Sequence, residues 1–507
     1  FEIGKHVVIN SVFLGSNGKN MVADDILQKY KNKDFSSITL TDSAQFAKYM
    51  EAVAVNLKPT ITWEWDDDAV PGMNDANATE AYIGAFYCGG NVGSMTTLEQ
   101  MNMTFPKGLT IFDRIVGGCN SARIAAKDSL NAAHDGGVTT AMTDGSPKVV
   151  LNIDSRLEPR KMVLTYADGD KEKLFYSSAT TEIDTVTYEY GPDDNKTKYS
   201  ILHGANVYGG CYESGQINGD VEINVRRDIV SPDIPEEHMV SKNPEFLKDA
   251  GLVDAEGNVL TNVPFAQYAF STAMNVFGGG YGKDTEIKGM TTINLTDDAR
   301  VMKVFGGGEM GTVLGKEYTD DKGIATHKGS YINISATKPA DATKYNTYMA
   351  YGGGYEGKVF GDVEVILNSG RLFDVYGGSC NADIEGSTYV QVGNGVSDVL
   401  EIKNSVYGAN DFGGQLLQDK LWSIDNGAKA IRSRSHVVYN SGAIENELYG
   451  GAFGSYDYNK FVRDNIEGFK FPRQESPVNK QEGDDIAANT FVQIASQSTN
   501  ANDYVKN

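Results

Sequence analysis

The sequence predicts an all-β chain wound as a parallel β-helix, a solenoid with irregular coils and large surface insertions. Three observations carry that expectation: a Gly-rich motif recurs along the chain, a strictly alternating strand follows several of its copies, and the shortest spacing between copies leaves no room for a helix.

The motif is an apolar or aromatic pair followed by Gly residues. It stands as YCGGN at Tyr87, IVGGCN at Ile115, VYGGCY at Val207, VFGGGY at Val276, VFGGGE at Val304, AYGGGY at Ala350, VYGGSC at Val375, VYGAND at Val406 and LYGGAF at Leu448, with a weaker VFLGSN at Val12. The intervals between Phe277, Phe305, Tyr351, Tyr376, Tyr407 and Tyr449 are 28, 46, 25, 31 and 42 residues, so the unit is near 25 residues and longer intervals carry insertions. After the glycines come QINGDVEINV, EIKGMTTINL, KVFGDVEVIL and DIEGSTYVQV. Val221, Ile223 and Val225 alternate with Glu222 and Asn224, which is the period of a strand with one buried face.

A parallel sheet with helical crossovers needs an amphipathic helix between strands, and 25 residues cannot hold it. They can hold one coil: a strand ending in the Gly pair, a turn, the alternating strand, a second turn containing Gly370, and a short strand near Leu372. A β-propeller is the rival, but its blades need about 40 to 45 residues. Stacked coils pair about 4.8 Å apart and place like side chains in rows, so the six aromatic residues are expected to form a ladder. The repeat glycines, Gly209, Gly210, Gly278, Gly279, Gly306, Gly307, Gly352, Gly353, Gly377 and Gly378, are expected at a corner that turns sharply or needs positive φ, where a Cβ would clash or cost about 1 kcal/mol.

Residues 1–80 carry the most helical signal, around 24–30 and 42–55, and are expected to cap the solenoid; residues 81–507 form its body. Insertions are expected near 158–200, as a hairpin, and near 231–264, 318–328 and 461–485. Residues 489–496 read as another strand with no cap after it. The expectation is that the natural chain continues past Asn507 or that its last residues pair with a neighbouring segment. The chain opens on Phe1 without a basic-then-apolar leader, so an export signal is expected to have been removed or to lie upstream.

Composition narrows the function. There are 45 basic and 68 acidic residues, a net charge of −23, which argues against a nucleic-acid binder. No apolar run reaches the roughly 18 residues of a transmembrane segment. Four Cys are too few for a disulfide scaffold. Cys119 and Cys211 share one place in consecutive motifs, so adjacent coils would bring them within disulfide range; two buried thiols are the alternative.

Chemistry-bearing patterns are sparse. In WEWDDD, Trp63 and Trp65 suit a platform for a sugar ring, and Asp66, Asp67 and Asp68 suit Ca²⁺, the one cofactor considered; a strand running into a solvated acidic turn explains the same residues. Arg226 and Arg227 are a candidate clamp for an acidic saccharide, or surface charge balance. Glycosidic chemistry needs two carboxylates about 5 to 10 Å apart, and Asp220 with Asp362, or Glu222 with Glu364, are the pairs considered. The N-x-[ST] matches, among them Asn102, Asn294 and Asn333, are read as chance.

The VYGGG and VFGGG copies with the following G-D-V-E-V strand resemble Gly-rich-repeat surface or secreted proteins of gut Bacteroidetes, adhesin-like and similar in fold to the pectate-lyase-like right-handed β-helices. The likeness spans most of 86–454. It implies a right-handed coil and an extracellular or outer-surface location, lipid-anchored through a segment absent here. The expected function is a non-catalytic adhesin binding a glycan or a host or bacterial surface protein through its solenoid face and insertions. The alternative is a polysaccharide lyase or glycoside hydrolase acting on acidic or complex glycans; no catalytic residue is assigned.

Overall fold

The computed structural model describes residues 8–15, 60–64, 81–97, 101–106, 109–126, 149–157, 160–165, 198–228, 272–319, 325–411, 413–414, 416, 422–426, 429–453, 486–496 and 500–506. Among the described residues every regular element is a strand, and the long-range pairing is dominated by parallel ladders.

One turn of the chain runs Asn206–Tyr208, Ser214–Ile217, Val221–Val225 and back to Val276–Phe277. These three strands belong to three parallel ladders, here the first, second and third sheets. Each pairs with its counterpart one turn later: Tyr208 with Phe277, Ile217 with Ile287, and Val225 with Leu295. The cycle repeats through Lys303–Phe305, Thr312–Val313 and Ala325–Ala336. In the next turn Asp362–Tyr376 bends at Gly370, where φ is +121°, and passes without a break from the third sheet into the first. That strand joins the two ladders into one hydrogen-bonded sheet of 24 strands, with seven in the second sheet. The fold is therefore all-β with large parallel sheets, and its cyclic strand order is consistent with a parallel β-solenoid.

The first sheet carries the aromatic ladder. Rings stack at 5.2 Å from Tyr208 to Phe277, 4.7 Å to Phe305, 4.7 Å to Tyr351, 4.8 Å to Tyr376, 5.1 Å to Tyr407 and 5.1 Å to Tyr449. In the other direction Phe13 stacks on Tyr87 at 4.4 Å. Val116 takes the rung between Tyr87 and Tyr208, and Tyr212 fills the space edge-on to both. The neighbouring column of Val207, Val276, Val304, Val375 and Val406 is fully buried on the opposite strand face, inside the stack.

Of the two causes the sequence suggested for the repeat glycines, a Cβ clash at the corner and positive φ, the geometry shows the clash. None of the ten has positive φ. Instead, their missing Cβ positions point along the stack into the next coil. A Cβ on Gly306 would lie 2.0 Å from the carbonyl oxygen of Gly352, and one on Gly278 would lie 2.2 Å from that of Gly306. The closeness lets the parallel ladder continue through the corner: Gly306 N–H donates to Tyr351 O at 2.9 Å and Gly307 N–H to Gly353 O at 3.0 Å. Any side chain here would push two coils apart.

Inside the third sheet, the position facing this corner is taken by Val or by a small hydroxyl residue: Val149, Val221, Thr291, Ser330, Val363 and Thr388 in turn. Thr291 Oγ1 donates to Gly306 O at 2.5 Å and Ser330 Oγ to Gly352 O at 2.7 Å. Buried hydroxyls are thereby satisfied within an apolar core that runs from Val12 to Ile444.

Three antiparallel excursions leave the stack. Arg160–Thr165 pairs with Lys198–Gly204, and Thr60–Glu64 adds to its free side, so the region near 158–200 and the first eighty residues share one four-stranded side sheet. Lys316–Thr319 folds back on the start of Ala325–Ala336, and Trp422–Asn426 on the start of Lys429–Tyr439, making two arms at one edge of the third sheet. Val8–Phe13 pairs with Ala81–Tyr87, and Tyr504–Val505 with Ala443–Ile444. The helical signals at 24–30 and 42–55 and the insertions near 231–264 and 461–485 lie outside the described residues.

Candidate functional site

The strand Thr60–Glu64 carries Trp63 opposite Met162 on the outer strand of the side sheet. Trp65, Asp66, Asp67 and Asp68 lie outside the described residues, and with them the Ca²⁺ candidate. Among the described residues no group of three or more His, Cys, Asp and Glu is arranged to hold a metal. No helix among them is long and apolar enough to cross a membrane.

Arg226 and Arg227 follow the third-sheet strand Val221–Val225 and have partners inside the chain. Arg226 Nη2 donates to Asn152 Oδ1 at 3.0 Å, and Arg227 Nε stands 4.0 Å from Asp154 Oδ1. Cys119 and Cys211 do sit on adjacent coils, since Tyr212 N–H donates to Cys119 O at 2.9 Å, but both are free, buried thiols. Cys211 Sγ donates to Ala122 O at 3.4 Å, and burial pushes the Cys119 thiol up to about 11, so neither is a ready thiolate.

The carboxylate pairs do not converge. Register runs Glu222, Thr292, Tyr331, Glu364, so Glu222 and Glu364 are three coils, about 14 Å, apart. That exceeds the reach of a glycosidase pair. Asp220 and Asp362 have other work: Asp220 Oδ1 accepts from Met290 N–H at 3.1 Å and Asp362 Oδ1 from Ser387 N–H at 2.9 Å, each bracing the turn of the next coil.

Two clusters emerge that the sequence reading did not assemble. The first is a polar seam beneath the aromatic ladder. Tyr351 Oη donates to Asp411 Oδ2 at 2.9 Å, and Tyr208 Oη donates to Glu309 Oε2 at 2.7 Å, each reaching two coils along the stack. Asp374 accepts from Asn404 Nδ2 at 3.0 Å and from Ser405 N–H at 2.9 Å. Burial pushes Asp411 and Glu309 up to about 7 and Asp374 up to about 6; loss of solvent also lowers Lys303 to about 8, against the attraction of Cys380 and Asp411. These groups can exchange protons near neutrality. Yet Asp374 and Asp411 are each 1% exposed, which leaves a substrate no approach to them as the chain stands.

The second cluster is open. On the outer face of the third sheet Asn224 Nδ2 donates to Asn152 Oδ1 at 3.1 Å, Asn294 to Asn224 at 2.9 Å, Asn333 to Asn294 at 3.4 Å and Asn368 to Asn333 at 3.2 Å. Asn102 accepts from Asn152 at the start of the chain of amides, at 2.7 Å. Beside it runs a row of half-buried Glu222, Thr292, Tyr331, Glu364 and Tyr389. The signal is present in VLNID, VEINV, TTINL and YINIS, where Asn recurs at one strand position; two of these asparagines, Asn294 and Asn333, match N-x-[ST], as Asn102 does.

Comparisons with known protein families, with curated proteins and with solved structures find no match to this chain.

Proposed function

We propose that the chain is a non-catalytic, extracellular or outer-surface binding protein of the adhesin type, built as a right-handed parallel β-helix that presents a regular polar face to a glycan. The handedness rests on the general rule that crossovers between parallel strands are right-handed, and the location rests on the resemblance of the VYGGG repeat to Bacteroidetes surface proteins. The observation that carries the binding reading is the asparagine ladder: a row of amides on an outward face in which Asn224, Asn294 and Asn333 retain hydrogen-bonding capacity. The side sheet bearing Trp63 and the two arms add surfaces for a protein partner.

Enzymatic action on glycans, as lyase or hydrolase, is the second reading. It draws on Glu309, which is half-buried and whose raised protonation suits a general acid. Glycan-array binding run beside a reducing-end release assay separates the two. Binding without release is the expected result. Release abolished by Glu309→Gln in a chain that still folds would replace the binding reading with the enzymatic one.

A further inference from the structure

Resting on that reading, we propose that the outer face of the third sheet binds an extended, uncharged, β-1,4-linked pyranose chain running along the stack axis.

The argument begins with period. Asn224, Asn294 and Asn333 are in register, so one amide recurs per coil, every 4.8 Å or so. Asn294 spends one N–H and one carbonyl lone pair on its neighbours and keeps one of each for a ligand; Asn224, whose second N–H goes to Glu222, keeps a lone pair, and Asn333, whose carbonyl accepts from both Ser335 and Asn368, keeps an N–H. A ligand that uses these in succession must repeat its hydroxyl groups at about the same interval. An equatorially linked pyranose chain is straight and advances by close to one coil per sugar; an α-linked chain curls away from the row.

The flanking row supplies a second match. Tyr331 and Tyr389 are two coils apart, about 10 Å, with Glu364 between them. In a β-1,4 chain successive sugars are turned over, so equivalent faces recur every second unit. Two tyrosines at that interval can each take the same face of alternate sugars.

Charge selects against an acidic ligand. Glu222 and Glu364 are the acids of the row. Glu364 lies 3.0 Å from Lys328, and Glu222 accepts from Asn224 Nδ2 at 3.1 Å. Arg226 spends one N–H on Asn152. The two acids are matched by Lys328 and Arg226, on a chain of net charge −23, so a uronate polymer meets no net positive charge on the strip. The arm Lys316–Thr319, with Tyr318 half exposed and Lys328 5.1 Å from its ring, stands beside the strip and bounds it on one side.

The test is calorimetric titration of the full chain with cellohexaose, β-1,4-mannohexaose, maltohexaose and hexagalacturonate, and with the shorter β-linked oligomers. The expected result is binding of a β-linked hexamer that tightens from dimer to hexamer, with maltohexaose and hexagalacturonate weaker by about tenfold. Tyr389→Ala and Asn333→Ala should each weaken it by about fivefold, and Arg227→Ala should leave it unchanged. If Tyr389→Ala does not fold, Tyr389→Leu serves in its place, with the melting midpoint as control in every case. Tightest binding of hexagalacturonate, or β-linked binding that survives both substitutions intact, overturns the proposal while leaving a glycan-binding function standing. No heat with any oligosaccharide, joined to a blank glycan array, sinks both.

Discussion

Substituting alanine at Gly306 isolates the physical reason for the repeat. Gly306 has ordinary φ, so the backbone itself tolerates alanine there. The added methyl carbon, however, would stand 2.0 Å from Gly352 O and 2.9 Å from both Cβ and Oγ of Ser330. Relief needs a separation of more than 1 Å between two coils, judged against an ordinary contact of 3.4 to 4 Å. That movement stretches the bonds Gly306 N–H to Tyr351 O, Gly307 N–H to Gly353 O and Ser330 Oγ to Gly352 O, now 2.9, 3.0 and 2.7 Å long. At about 1 kcal/mol for each bond and about 1 to 3 kcal/mol for overpacking, the loss is about 4 to 6 kcal/mol. Gly395 is the matched control: its φ is +89° but nothing lies within 4 Å of a Cβ, so Gly395→Ala costs only the left-handed penalty of about 1 to 2 kcal/mol. Urea unfolding and amide exchange across 304–307 measure the difference. If Gly395→Ala proves as destabilising as Gly306→Ala, the inter-coil explanation of the glycines is refuted.

Two further outcomes follow from buried polar groups. Asp411 has its folded pKa raised from an ordinary carboxylate value to about 7, so its stabilising contribution is fully present below about pH 4 and is lost as pH rises toward 7. Asp411→Asn should therefore melt like the parent at pH 4 and higher than the parent at pH 8; identical pH profiles for the two would show that Asp411 is not held protonated. Arg371 is 6% exposed, donates from Nη1 to the carbonyls of Pro339, Asp341 and Lys344, and from Nε to Glu401 at 2.7 Å. Arg371→Met should cost about 3 to 5 kcal/mol and release residues 337–346 to rapid proteolysis; an unchanged cleavage pattern contradicts that role.

The rungs Phe277 to Tyr449 were legible because aromatic side chains before a Gly pair survive every insertion, and identical stacking positions select identical shapes. The copy at Ile115 was legible as a motif but not as a rung, because the residue it places in the row is Val116 rather than an aromatic. The side sheet was hidden for another reason: Thr60–Glu64 meets Arg160–Thr165 across about a hundred residues, and antiparallel pairing leaves no periodic trace over such a distance. The arm near 318–328 was visible as a polar stretch punctuated by Gly, while the segments KLFYSS and TEIDTVTYEYG of the expected hairpin near 158–200 lie outside the described residues. The asparagine ladder was written in the strands but reads as a site only once register aligns the copies. The polar seam was illegible, since Tyr351 and Asp411 meet only through two intervening turns of the stack.

Paired cysteines on the outer face of the third sheet test the stacking order itself. Asn294→Cys with Asn333→Cys places the two thiols on directly paired residues of neighbouring coils, within disulfide range. Asn224→Cys with Asn333→Cys places them two coils apart, about 10 Å, beyond it. Under mild oxidation the first pair should close quantitatively as an intramolecular bond and the second should remain reduced. Closure of the second pair, or failure of the first in a folded chain, would contradict the parallel register on which the ladder, the glycine corner and the proposed glycan path all depend.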